Sequence, residues 1–193
     1  MNNITKYFEK NPINLITYTD PYTKTLLMRE LIAESNNKII YLDFDLLFSG
    51  YINADIIKKS QNLSLFQIQK QTFEDIMHKT ILEISSKKTI VVIDSINVFY
   101  NVFTERNDVG RFVNTSIMLL TKFAKISNSI ILVNTFIPNK ENLGDEIPKY
   151  MISSEFLSKF FLEMKKSFLT MITYPKEIPE ETMKIEIGSE LVS

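Results

Sequence analysis

The 193-residue sequence contains no cysteine, and this absence excludes disulfide bonds, thiolate zinc sites and cysteine nucleophiles within it. The absence also fits a reducing compartment. The sequence lacks the basic start and long apolar run of a signal peptide. Its longest apolar stretches, such as residues 130–133, are too short to cross a bilayer. We therefore expect a cytoplasmic protein that does not enter a membrane.

Positive charge is not in excess either. Lys and Arg total 22 against 23 Asp and Glu, which gives a net charge of −1. Domains that bind nucleic acid by themselves usually carry a clear basic excess or a dense basic stripe. We therefore expect any contact with DNA to be weak or indirect.

Apolar segments alternate with amphipathic ones along the chain, which is typical of an α/β domain whose mainly parallel sheet is covered by helices. Residues 1–193 are interpreted as one domain. The predicted strands are residues 13–18, 38–44, 63–67, 89–93 and 129–134. The predicted helices are residues 24–35, a helix opened by a capping box at 72–75, and residues 110–127.

The C-terminal part of the sequence has a different pattern. Residues 160–164 and 168–174 are interpreted as two strands joined by a tight turn, and the period-2 pattern of 183–187 predicts a half-exposed antiparallel strand. Residues 153–164 fit an amphipathic helix equally well. The predicted fold class is an α/β core with antiparallel C-terminal strands.

The junction between the first strand and the first helix has the position of a phosphate-binding loop. The P-loop pattern is G-x-x-x-x-G-K-[ST], and its glycines let successive backbone N–H groups point at phosphates. Lys24 and Thr25 occupy the last two positions, whereas the glycine positions hold Tyr18 and Thr23. The sequence keeps the cation and the hydroxyl of such a loop but loses its backbone freedom.

Three residues of this junction oppose phosphate binding. A left-handed conformation costs the β-branched Thr23 on the order of 1–2 kcal/mol. Pro21 lacks a backbone donor, and Asp20 would repel an anion. Thr23 would also cap the helix without any ligand. A tight turn with a surface lysine explains the same residues, and we favour that interpretation.

Three later positions carry polar residues at strand ends. Asp94 ends an apolar strand, as in the Walker B motif, whose carboxylate holds magnesium. Asp45 follows the second predicted strand, where a carboxylate could activate a water molecule. Asn134 ends a later strand, where its amide could sense a γ-phosphate. Each residue also has a plain structural explanation, and the single histidine, His78, is interpreted as a surface residue.

Taken in order, these segments resemble the RecA/RadA recombinase superfamily, and within it archaeal RadB-like proteins and RadA paralogues without an N-terminal DNA-binding domain. Residues 18–25 lie where that family has its Walker A loop, and 38–45 resemble its second strand. Residues 89–97 resemble its Walker B strand, and 110–134 the segment leading into its second DNA-binding loop. The resemblance therefore covers most of the chain. It implies a RecA-like core, with a mainly parallel sheet flanked by helices and with antiparallel C-terminal strands.

The resemblance implies roles for individual residues. Lys24 would neutralise phosphate charge, and Thr25 and Asp94 would hold the Mg²⁺ of Mg-ATP. Asp45 stands at the position of the family's catalytic glutamate, and Asn134 would contact the nucleotide.

The departures from the family pattern predict a pseudo-ATPase with no cofactor, unless the altered site still accepts Mg-ATP. Both Walker A glycines are replaced, Asp45 has a shorter side chain than glutamate, and Thr135 replaces a glutamine that links the nucleotide to the second DNA loop.

The segments that match the two DNA-binding loops, residues 99–108 and 138–149, lack a basic excess. Aromatic residues of the first segment would still be able to stack on bases. These residues are Phe99, Tyr100 and Phe103.

The leading hypothesis is a non-catalytic or weakly catalytic RecA-family paralogue that acts as an accessory or assembly subunit in DNA recombination or repair. Its expected partner is a recombinase or another paralogue, in a homo- or hetero-oligomer. One alternative is an ATP-binding, DNA-dependent ATPase with a reshaped P-loop. Another is a RecA-fold scaffold subunit of an unrelated complex, such as KaiC-like or Elongator-like assemblies.

Overall fold

A computed structural model describes residues 4–139, 157–165, 168–173 and 182–186. The predicted α/β class is confirmed, because a parallel sheet lies between helices on both faces. The helices are α1 Thr5–Phe8, α2 Pro21–Glu34, α3 Leu47–Asn53, α4 Phe73–Ser86, α5 Ile96–Val102 and α6 Val109–Ser127. The strands are β1 Ile13–Tyr18, β2 Lys38–Asp43, β3 Leu63–Gln67, β4 Thr89–Asp94, β5 Ile130–Phe136, β6 Leu157–Lys165, β7 Phe168–Thr173 and β8 Thr182–Glu186.

The eight strands form one sheet in the order β3-β2-β4-β5-β1-β6-β7-β8. Six of them, from β3 to β6 in that order, run parallel to one another. The prediction of antiparallel C-terminal strands is not borne out for β6, because β6 pairs in parallel with β1 and so extends the parallel sheet. Strand β7 runs antiparallel to β6, and β8 runs antiparallel to β7.

The central strands bury both of their faces, as expected for a parallel sheet covered by helices. On β4, Ile90 and Val92 pack in the same apolar cluster as residues of α2, whereas Val91 and Ile93 pack with residues of α4 and α6. Because successive side chains of a strand point to opposite faces, Asp94 lies on the α2 side of the sheet. This alternation directs the Asp94 side chain toward α2.

Several predicted boundaries differ from the structure. Helix α2 begins at Pro21 rather than at residue 24, because Asp20 caps it and Pro21 suits its first turn. The capping box at 72–75 is wrong, since the Thr72 side chain bonds to the backbone of Gln69 and caps no N–H of α4.

The helix alternative for residues 153–164 is wrong over 157–164, which form part of β6. Residues 153–156 and the predicted turn residues 166 and 167 lie outside the described part of the chain.

Candidate functional site

Polar side chains meet at the carboxyl edge of the sheet, on the face covered by α2. Asp43 and Asp94 are the last residues of adjacent strands and lie opposite each other in the register. Asn134 follows Val133, which pairs with Ile93 one position before Asp94. All three are completely buried. The structure therefore brings the predicted residues Asp94 and Asn134 to one edge of the sheet.

Lys24 lies among these carboxylates, and its side chain is completely buried. The Lys24 Nζ lies 2.6 Å from Asp94 Oδ2 and 3.1 Å from Asp45 Oδ2. The Tyr18 ring lies beside the same ammonium, with its centroid 5.5 Å from Nζ. The interpretation of Lys24 as a surface lysine is therefore wrong, because its ammonium forms an internal ion pair with two acidic residues.

A tyrosine is the second hydrogen-bond donor to Asp94 Oδ2. The Tyr41 hydroxyl donates to Asp94 Oδ2, the oxygen that also accepts from Lys24. Tyr41 is held in place by stacking on Phe48, with ring centroids 4.5 Å apart. Sequence reasoning missed this partner, although Tyr41 precedes Asp43 by two residues and therefore lies on the same face of β2.

Burial and neighbouring charges shift the pKa values of these groups. Burial favours the neutral form of Lys24, but Asp94, Tyr18 and Asp45 together raise the pKa of the ammonium well above its usual range. Burial raises the pKa of Asp94, while the Lys24 ammonium opposes that shift. Burial also raises the pKa of Asp43 to about 6, although hydrogen bonds from Ser49 act in the opposite direction. Lys24 therefore stays protonated at neutral pH.

Helix α3 holds the third carboxylate. The backbone N–H of Ser49 donates to Asp43 Oδ2 over 2.7 Å, and the Ser49 hydroxyl donates to the same oxygen. The other oxygen of Asp43 and Oδ1 of Asp94 are buried without a hydrogen-bond partner among the described residues. The edge thus places three acidic side chains, Asp43, Asp45 and Asp94, around one basic side chain, Lys24.

Three carboxylates could hold a divalent cation. Oxygens of Asp43, Asp45 and Asp94 lie within 4.8 Å of one another. Carboxylate oxygens are the ligands that Mg²⁺ and Ca²⁺ prefer, so the donor types fit such an ion. However, the Lys24 ammonium already contacts two of the three residues and supplies positive charge there. The predicted magnesium ligand Thr25 is engaged elsewhere, since its hydroxyl donates to the Pro21 carbonyl over 2.9 Å.

The start of α2 is occupied by a side chain of the chain itself. Asp20 accepts hydrogen bonds from the backbone N–H groups of Tyr22 and Thr23, each over 3.1 Å, and from the Thr23 hydroxyl over 2.7 Å. Free N–H groups at a helix N-terminus are what a phosphate would bind. The predicted cap was Thr23, and the structure corrects it to Asp20.

The connection between β1 and α2 is also too short for a phosphate loop. Only Thr19 and Asp20 separate Tyr18, the end of β1, from Pro21, the start of α2. In a P-loop, the residues before the lysine curl as a loop around phosphate. In this chain, Pro21, Tyr22 and Thr23 already belong to the helix.

Asn134 and Thr135 have different surroundings. No described residue makes a hydrogen bond to either polar atom of the buried Asn134 amide. The Thr135 hydroxyl donates to Asn97 Oδ1 over 3.3 Å, and Asn97 also bonds to both backbone groups of Phe136. Asn97 thus ties the start of α5 to the end of β5, a role that its place in the sequence did not signal.

Part of the first segment matched to a DNA loop is helical. Phe99 lies in α5, and Phe99 and Phe103 are buried, with exposed fractions of 1% and 5%. They pack against Phe73 and Phe112. The expectation that Phe99 and Phe103 stack on bases is therefore wrong, whereas Tyr100 is exposed. The second matched segment lies outside the described residues from position 140 onward.

No model of a known protein family and no curated protein matches this chain. Among the residues that the structure describes, no helix is long and apolar enough to cross a membrane.

Proposed function

We propose that this chain is a RecA-type domain that neither binds nor hydrolyses ATP and acts as an accessory or assembly subunit in DNA recombination or repair. The resemblance in sequence order and the α/β core with its parallel sheet support the RecA assignment. The proposed partner is a recombinase or another RecA-family paralogue. The proposed location is the cytoplasm.

One observation carries the proposal: Lys24, the residue that would meet the phosphates, is sealed inside the protein. Its ammonium is completely buried and paired with Asp94 and Asp45. To bind ATP, Lys24 would have to leave both partners and expose two carboxylates to a polyphosphate. Removing one member of a buried ion pair typically costs about 3–5 kcal/mol. The site therefore opposes nucleotide binding.

The cap of α2 adds a second obstacle. Because the Asp20 carboxylate occupies the N–H groups of Tyr22 and Thr23, a phosphate would have to displace it. The displaced carboxylate would remain beside the phosphate, and like charges repel. Asp20 thus acts as an internal substitute for the anion that a P-loop would bind.

A domain whose sheet edge opposes nucleotide binding can still serve as a structural subunit. The ion pair links α2 to the ends of β2 and β4, so the chemistry of the site serves the stability of the core. A subunit of this kind would contribute surface to an assembly and leave hydrolysis to its partner.

Titration calorimetry with Mg-ATP tests the proposal that this chain does not bind ATP. We expect no saturable heat for the wild-type chain up to millimolar nucleotide. The rival function, an ATPase with a reshaped loop, predicts saturable binding that Lys24→Ala abolishes. Asp20→Ala is the informative variant, because it frees the N–H groups of α2. Any gain of nucleotide binding in that variant alone would identify Asp20 as the blocking group.

Co-purification tests the proposed role as an assembly subunit. The tagged chain, expressed in its native cell, is expected to retain a recombinase or a RecA-family paralogue. Recovery of a complex unrelated to recombination would instead favour the scaffold alternative. Failure to retain any RecA-family protein would contradict the proposed pathway while leaving the nucleotide result intact.

A further inference from the structure

A cavity of about 590 Å³ lies between α2, α3 and the segment that leads into β3, away from the carboxyl edge of the sheet. Its size falls within the range of about 300–1,000 Å³ that is usual for binding pockets. Its apolar wall is formed by side chains that belong to the core and are each at most 7% exposed. These are Ile32, Phe48, Ile57 and Leu63.

The surroundings of the cavity are fixed by hydrogen bonds. The backbone N–H groups of Ile56 and Ile57 both donate to the Tyr51 carbonyl. The Asn62 side chain donates to the Ser35 carbonyl over 2.7 Å and so joins the start of β3 to the end of α2. These hydrogen bonds make the cavity a feature of the folded domain. Binding to such a preformed cavity costs less conformational entropy.

Cations surround the opening. Arg29, Lys58 and Lys59 line the cavity, and Glu30 is the only acidic residue of the described part of the chain that does. Glu30 is already paired with Arg29, whereas neither lysine forms a salt bridge within the described residues. The cavity is therefore locally positive in a chain whose net charge is −1. An acidic ligand would be attracted to it.

We propose that this cavity binds an acidic segment of a partner protein that carries a large apolar side chain. The apolar side chain would enter the cavity, and acidic residues beside it would face Lys58 and Lys59. The inference rests on the proposed role as an assembly subunit and names the surface that serves it.

The distribution of charge favours a peptide over a small molecule. Small-molecule sites place a few polar groups inside the pocket to fix the ligand. Here the deep wall is apolar, and Lys58 and Lys59 are exposed. An apolar centre with a polar rim is the usual anatomy of a protein interface. The half-exposed Ile56 adds apolar surface beside the opening, with 52% of its area accessible.

A peptide library displayed on phage and selected on the immobilised full chain tests the proposal. We expect enriched sequences in which Asp or Glu flanks a large apolar residue. A synthetic peptide with the enriched sequence then serves as the probe in fluorescence anisotropy. The charge reversal Lys58→Glu/Lys59→Glu should weaken its binding by about tenfold or more, with a strong dependence on salt.

Variants that fill the cavity provide a second test of the proposal. Ala33 lines the cavity but is exposed on α2, so Ala33→Trp should fill the space without disturbing the core and should abolish binding. Ile56→Ser provides a second, milder variant at the opening. The matched control Lys79→Glu/Lys122→Glu changes the net charge equally at exposed positions outside the cavity, and it should alter affinity by less than about twofold.

Three results would overturn the inference. The first is a selection without acidic enrichment, and the second is peptide binding that survives Ala33→Trp. The third is binding of a small amphipathic molecule, tested with dodecanoate, in the cavity when no peptide is selected. The selection samples the whole surface of the chain, and the Ala33→Trp and Lys58→Glu/Lys59→Glu variants assign a selected peptide to the cavity. A negative result there, combined with co-purification of a recombinase, would disprove this surface and leave the assembly role standing.

Discussion

At the scale of single residues, the carboxyl edge of the sheet is a balance between one cation and three acids. Taking charges out of water is costly, and a buried ion pair offsets that cost only when its partners are close and well bonded. Lys24 and Asp94 meet this condition at 2.6 Å, with Tyr41 donating to the same oxygen. Asp43 has no cation of its own among the described residues and depends on Ser49.

The pH dependence of Asp43 follows from its raised pKa. Between its ordinary pKa of 3.8 and about 6, the folded state binds more protons at Asp43 than the unfolded state does. Stability due to this group therefore falls as the pH rises through that window. Across that window the free energy of unfolding falls by about 3 kcal/mol because of this group. Asp43→Asn still accepts from Ser49, so we expect it to be more stable than wild type at pH 7 and equally stable near pH 4.

Urea unfolding of both proteins from pH 4 to pH 7 measures this difference. Asp55→Asn is the control, because Asp55 is exposed and its left-handed φ of 57° suits asparagine equally well. An Asp43→Asn variant that is less stable than wild type at pH 7 would contradict the account. Such a loss would mean that the Asp43 charge stabilises the folded state.

At the scale of elements, α2 begins with a cap that the sequence pattern did not single out. Asp20 satisfies the first N–H groups of the helix, whereas Thr72 makes no such bond at the start of α4. We expect Asp20→Ala to lower the free energy of unfolding by about 1 kcal/mol. Thr72→Ala should change it by less than about 0.5 kcal/mol. Chemical denaturation of the two variants measures the contrast, and equal effects would refute the difference in capping.

Helix α5 contributes one aromatic residue, Phe99, to the core. Phe99 stacks on Phe44 at a centroid distance of 4.4 Å and is 1% exposed, whereas Tyr100 is 45% exposed. Phe99→Ala should cost about 3–5 kcal/mol of stability, and Tyr100→Ala less than about 0.5 kcal/mol. Thermal and urea unfolding would check this. A Phe99→Ala variant with wild-type stability would return Phe99 to the role of an exposed base-stacking residue.

Most elements could be predicted from sequence because their apolar periodicity is strong. The apolar pattern alone predicts both the strand ending in Asp94 and the helix before Asn128. The C-terminal strands were harder, since residues 157–165 carry apolar residues at spacings that fit a strand or a helix. Tertiary pairing with β1 decides between the two, and no local pattern encodes it.

At the scale of the whole molecule, the sheet order brings residues far apart in sequence to one edge. The P-loop pattern predicts Lys24, the Walker B pattern predicts Asp94, and its place at the end of a strand predicts Asn134. What sequence could not provide was the depth at which they lie. Whether a lysine after a strand reaches solvent or turns inward depends on the packing of α2 across β2 and β4, which is a property of the assembled layers.

The central claim is that Lys24 is a structural cation rather than a phosphate ligand. Unfolding free energies of wild type and Lys24→Met, each with and without Mg-ATP, test it most directly. Lys122→Met is the control, as an exposed lysine without a salt bridge in the described structure.

We predict that Lys24→Met loses about 3–5 kcal/mol, because Asp94 is left buried without its cation. Mg-ATP should change the stability of neither protein. The claim would be contradicted by a Lys24→Met variant within about 0.5 kcal/mol of wild type, together with a wild-type protein that Mg-ATP stabilises.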